Sequence, residues 1–137
     1  MKIILLIMIG LSILNADFTR SGDVVTDNTT KLEWQDNEVG SSSNWEGAIQ
    51  RCEDLSLGGN SDWRLPNIIE LISIVDDTNF NPSINIVFQN TTFYHYWSST
   101  TYASLPYNAW GIYFSTALQN NYNKLNYNYV RCVRAGQ

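Results

Sequence analysis

At 137 residues the chain has room for one domain core and not for two, and 44% hydrophobic with 13% aromatic residues supplies enough apolar area to exclude wholesale disorder. Its formal net charge is −5, with the basic residues scattered from Arg20 to Arg134. A phosphate backbone is bound by clustered cations, so nucleic acid is excluded as the expected partner, and only the pair Arg131 and Arg134 at the tail offers a local basic spot.

The first sixteen residues differ from the rest. Lys2 is followed by an almost unbroken apolar run from Ile3 to Leu14 and by the small residue Ala16, the pattern of a secretory signal peptide cleaved after Ala16. The run is too short for a span of about 20 apolar residues, so the mature chain, residues 17–137, is expected to be exported without a membrane span, to the periplasm, the cell surface or the medium. Loss of Lys2 with the leader takes the mature net charge to −6.

Asp23–Asp27 and Leu32–Gln35 read as two short strands, and Asn28–Lys31 between them has the residues of a hairpin turn. A polar loop at Gly40–Ser43 leads to a helix in which Trp45, Ala48, Ile49, Cys52 and Leu55 share one face. Ser43 and Glu46 have the spacing of a capping box, and Gly58-Gly59 is placed to end the helix. Asp62–Pro66 is expected to be extended, since the residue before a proline avoids the helical region. Asn67 then caps a second helix running from Ile68 to about Val75, with Glu70 at the reciprocal position.

Asp76–Gln89, with Pro82 and several Asn, reads as a long irregular connection. Three strand candidates follow at Phe93–Ser98, Ala109–Ser115 and Tyr127–Arg134. In the second, Trp110, Ile112 and Phe114 alternate with Gly111, Tyr113 and Ser115; in the third, Val130 and Cys132 share a face opposite Tyr127, Tyr129 and Arg131. Strands at both ends with two helices between them make the class α+β.

Two cysteines in an exported protein pair most simply with each other, so Cys52 and Cys132 are expected to form one disulfide. Neither a CxxC spacing nor a His cluster suggests a metal, and His95, the single histidine, has no GxSxG-type serine beside it. Asp76 and Asp77 read as the solvated end of the second helix, a calcium role being the weaker reading because no EF-hand loop surrounds them. No catalytic residue, metal or cofactor is therefore expected. Asn28-Thr29-Thr30 and Asn90-Thr91-Thr92 match the glycosylation sequon, a pattern frequent by chance.

From Gln119 to Tyr129, Asn and Tyr take eight of eleven positions. A polar hairpin loop is the plain reading, but Tyr and Asn are also the residues favoured in recognition loops. If Trp110, Ile112 and Phe114 face the core, Tyr113 is on the other face. Tyr127 and Tyr129 join it if the two strands share a sheet, with Tyr107, Asn108 and a loop of Asn120, Asn121, Tyr122 and Asn123 alongside. These nine residues are the expected ligand-binding set.

Trp63-Arg-Leu-Pro-Asn67 with Glu70-Leu71, then Tyr96-Trp-Ser-Ser-Thr100, Asn108-Ala-Trp110, Val130-Arg-Cys-Val-Arg134 and, near the start, Leu32-Glu-Trp34 occur in an order that resembles the bacterial domain family named for the C-terminal domain of the Lcl collagen-like adhesin. The resemblance runs from about Gly22 to Arg134. It implies a C-type-lectin-like fold in the variant shared with formylglycine-generating enzymes, two helices flanking a twisted antiparallel sheet with the termini close together. It also implies adhesin-like binding of a glycan or a cell-surface protein, although a net-acidic chain departs from what a sulfated polysaccharide calls for. The Glu-Pro-Asn and Trp-Asn-Asp strings of calcium-dependent lectins do not occur in this sequence. An enzyme or enzyme accessory on the formylglycine-generating scaffold and a structural envelope domain are the competing readings.

Overall fold

A computed structural model describes residues 18–136; the leader read at residues 1–16 lies outside the described residues. Seven strands and two helices follow one another as β1 (Phe18–Ser21), β2 (Val24–Asp27), β3 (Leu32–Gln35), α1 (Trp45–Glu53), α2 (Ile68–Ser73), β4 (His95–Thr101), β5 (Asn108–Tyr113), β6 (Leu118–Asn123) and β7 (Val133–Ala135). They form two antiparallel sheets, ordered β1-β2-β3-β7 and β4-β5-β6, so the class is α+β with a strong bias to β. Among the described residues no helix is long and apolar enough to cross a membrane.

The first hairpin forms where its turn chemistry places it. The Asp27 carboxylate accepts hydrogen bonds from the N–H groups of Thr29 and Thr30, and Lys31 closes the turn at φ +64°. The expectation that the chain opens with two strands is corrected to three. β1 pairs with β2 through a tight turn at Gly22, φ +59°, and it went unread because Thr19 and Arg20 give it no apolar alternation.

α1 begins one residue later than its capping pattern suggests. Asn44 is the N-cap and accepts from Gly47 N–H at 2.9 Å, and Gly47 has no side chain with which to reciprocate. Ser43 instead pairs with Asn128 and gives its carbonyl to the Trp97 indole. The helix ends at Glu53, before Gly58-Gly59, which turn the chain between Leu57 and Asn60 at positive φ. α2 carries the full capping box between Asn67 and Glu70.

Each sheet face needs cover, and two apolar clusters supply it. One packs Trp34, Leu71, Ile74, Tyr96, Ile112, Phe114 and Val133 between the sheets and α2; the other packs Ala48 and Cys52 of α1 against Trp63, Leu65, Trp97, Ala109, Val130 and Cys132. Successive residues of a strand point to opposite faces, which is why Tyr96 enters the first cluster and Trp97 the second. Cys52 and Cys132 are bridged, with Cα atoms 5.4 Å apart and 80 residues between them. The bond fixes α1 to the segment entering β7.

The strand expected over Tyr127–Arg134 is corrected. Only Val133–Ala135 is a strand, and it pairs with β3, whereas Tyr129 makes a lone parallel bridge with Tyr96. Residues 130–132 carry the chain from one sheet to the other, and Arg131 anchors the crossing. This buried guanidinium donates to Gln35 O at 2.6 Å, Asp36 Oδ1 at 2.8 Å, Asn90 O at 2.6 Å and Thr91 Oγ1 at 2.8 Å. Asp36, fully buried, also accepts from Arg20 and from the N–H groups of Gln89 and Asn90. The tail basic spot is likewise corrected, since Arg131 is buried against Asp36 and Arg134 pairs with Glu33 and Asp62.

Candidate functional site

The segment read as a polar loop at Asn120–Asn123 is a strand, β6, whose partners on β5 run from Asn108↔Asn123 to Tyr113↔Leu118. Period-two alternation therefore deals the expected ligand-binding residues to two faces. On one face lie His95, Tyr113 and Leu118 in a row, then Gly111 beside Asn120, then Ala109 beside Tyr122.

The rings on this face touch one another. His95 stacks on Tyr113 with centroids 4.4 Å apart and lies 4.6 Å from the Tyr122 ring, and its Nδ1 is 2.9 Å from the Tyr122 hydroxyl. Gly111 makes the arrangement possible, because a Cβ there would come within 2.5 Å of the Tyr96 carbonyl and 3.0 Å of the Tyr122 ring. Burial, and secondarily the neighbouring Tyr113, push the Tyr122 phenol up to about 12, and burial draws the His95 imidazole below its ordinary value. Both groups are thus neutral at neutral pH. Leu118, 63% exposed, and Asn120, also exposed, border the rings. The result is a half-open, uncharged aromatic shelf that offers stacking surface and amide hydrogen bonds.

The opposite face and the open end of the hairpin hold a second group. The Asn108 amide donates to Asn121 Oδ1 at 2.8 Å, and the carbonyl of Tyr107 accepts from Lys124 N–H. Lys124 extends over the Trp45 ring at 4.0 Å and donates to Thr101 Oγ1. Asn123 is used locally, its side chain accepting from Leu125 N–H. Tyr107 and Tyr127 are more than two-thirds exposed. Tyr129 belongs to neither group. It packs against Tyr94 and Tyr96, at 6.1 and 5.8 Å between ring centroids.

The surface expected to be shared by Tyr113, Tyr127 and Tyr129 does not form. Tyr127 and Tyr129 precede β7, and Tyr129 is bridged to Tyr96 along the side of β4 away from β5. Tyr113 lies on the His95 side of β4 and Tyr129 on the Tyr94 and Tyr96 side. What the structure does bring together is Tyr113, Tyr122 and Asn120. His95 and Leu118 complete the shelf and were missed. Reading Leu118–Asn123 as a strand paired across a four-residue turn would have found Leu118, but its polar residues carry no hydrophobic alternation, and His95 needs the β4–β5 register as well.

Elsewhere, Thr78, Asn79, Phe80, Pro82, Ile84, Ile86 and Phe88 line a shallow groove of about 410 Å³ in the irregular connection. Asp76 accepts from Thr78 and Asn79 within its own turn, and no group of three or more His, Cys, Asp or Glu suited to a metal occurs among the described residues.

These features define a small disulfide-closed α+β domain with a half-buried aromatic shelf on its second sheet. The sequence profile of the Lcl C-terminal domain matches residues 23–134, and the chain belongs to that family. No curated protein matches the chain.

Proposed function

We propose that this chain is an exported, non-catalytic binding module with a C-type-lectin-like arrangement, recognising a glycan or a protein at a cell surface. The observation that carries the reading is the shelf of His95, Tyr113 and Tyr122 with Asn120 at its border. Aromatic rings held by neighbours lose little entropy when a ligand stacks on them, and an adjacent amide fixes orientation. Nothing in the shelf is charged, so recognition there rests on shape and hydrogen bonds. The lectin-like arrangement is supported by the two helices beside small antiparallel sheets, with the first and last strands in one sheet. Export is supported by the residues before Asp17 and by the use of both cysteines in one bridge.

A glycan and surface-protein array probed with the oxidised protein tests the proposal. Saturable binding to a defined ligand, lost when Tyr113 is changed to Ser, is the expected result. An array with no saturable ligand, or hydrolytic or oxidative turnover abolished by one substitution, would contradict it.

A further inference from the structure

The three-stranded sheet ends on β6, and the hydrogen-bond pattern shows which of its backbone groups point away from β5. Asn108 gives its N–H to Leu105 O and receives Tyr102 N–H on its carbonyl, both on the β4 side. Asn108 and Asn123 are therefore a non-hydrogen-bonded pair in the β5–β6 ladder, and alternation makes Trp110–Asn121 and Ile112–Gln119 the same. The N–H and C=O groups of Gln119 and Asn121 face outward. The far side of β4 is covered by the chain at Tyr129, through Trp97 N–H to Tyr129 O and Tyr129 N–H to His95 O, so among the described residues β6 is the open edge of this sheet. The Asn121 N–H is capped at 2.8 Å by the Asn120 side chain.

Protein edges are ordinarily blunted by charge, proline, a bulge or a short strand. β6 is six residues long, and from Phe114 to Asn123 there is no charged residue and no proline, in a chain of net charge −5. β1, the free edge of the other sheet, has four residues and carries Arg20. An uncharged edge on an acidic molecule is the place where a second copy approaches without like charges meeting.

We propose that β6 pairs antiparallel with β6 of a second copy about a two-fold axis that sets Asn120 opposite Asn120, joining the two sheets into one of six strands. The register follows from the free groups. Centred on Asn120, Gln119 lies opposite Asn121 of the other copy in both directions, which uses all the outward donors and acceptors in four hydrogen bonds. Centring on Asn121 would set Asn123 opposite Gln119, but the Asn123 carbonyl already accepts from Asn126 N–H. Centring on Gln119 would call on Ala117, whose φ of +63° has left the extended region. The Asn120 register also sets the exposed Leu118 opposite Tyr122 of the second copy in non-hydrogen-bonded pairs, where facing side chains lie closest. Such an interface is isologous and closes as a dimer, and it lays the two aromatic shelves side by side.

Sedimentation equilibrium of the oxidised protein from micromolar to millimolar concentration tests this. A monomer–dimer equilibrium is expected. Gln119→Pro removes an outward N–H and no bond to β5, and is expected to abolish dimerisation with little change in melting temperature. Should that variant fold poorly, Gln119→Lys sets charges along the edge and is expected to weaken the dimer by about tenfold or more. Asn120→Ala frees the Asn121 N–H and is expected to tighten it. A protein that stays monomeric throughout, one that pairs only with unrelated extended peptides, or a dimer that survives the folded Gln119 variants would overturn the proposal.

Discussion

Two residues show how much depends on distant partners. Burial by itself would raise the Asp36 carboxyl, but the charge on Arg131 and hydrogen bonds from Gln89 N–H, Arg131 and Arg20 outweigh it and hold the group below the usual carboxylate range. Replacing a buried ion pair by apolar residues is often neutral, whereas removing one partner strands a charge. Asp36→Asn or Arg131→Met is therefore expected to cost about 3–5 kcal/mol in urea unfolding. The same depression sets the acid limb. A group whose folded pKa lies below its unfolded value gives stability that is complete above the unfolded pKa and is lost as pH falls through the folded one. His95, drawn down by burial, begins the loss below about pH 6.5, and Asp36 adds its own loss below about pH 4. His95→Asn is expected to remove the first limb and leave the second. None of this was legible around Asp36, where no local pattern marks burial; Asp36 is buried because Arg131 arrives from 95 residues away.

At the scale of elements, legibility followed the locality of the signal. The α2 capping box spans four residues and was read as it stands; Asn67→Ala is expected to cost about 0.5–2 kcal/mol, measurable as a shift in urea midpoint at constant m. α1 was placed correctly, but its cap moved from Ser43 to Asn44 because Ser43 is held by Asn128 and Trp97. β6 was missed because its pairing with β5, rather than any apolar stripe of its own, makes it a strand. Gly111 shows that dependence. Gly111→Ala drives a methyl toward the Tyr96 carbonyl and the Tyr122 ring, so a loss of about 1–3 kcal/mol is expected, together with faster amide exchange along β6 than along β1–β3.

Over the whole molecule, the α+β class, the disulfide and the family resemblance were all legible, because composition, two cysteines and ordered short motifs survive without knowledge of pairing. The division into two sheets was not, because the crossing at residues 130–132 depends on a buried arginine in a stretch that otherwise alternates like one strand. The bridge closes a loop of 80 residues, and chain entropy assigns such a closure about 4.5 kcal/mol. Reduction is expected to lower the urea midpoint accordingly, and thiol titration of the unfolded, unreduced protein should find no free thiol.

The proposal that the molecule is a binding module working through its aromatic shelf meets its most direct test in a binding titration. The ligand selected on the array is titrated against the oxidised protein and its Tyr113→Ser variant, with melting temperatures measured alongside. Loss of one stacking ring is expected to weaken binding by about tenfold, near 1.4 kcal/mol, while the half-buried position leaves the melting temperature nearly unchanged. Full affinity in a folded Tyr113→Ser variant would contradict the account.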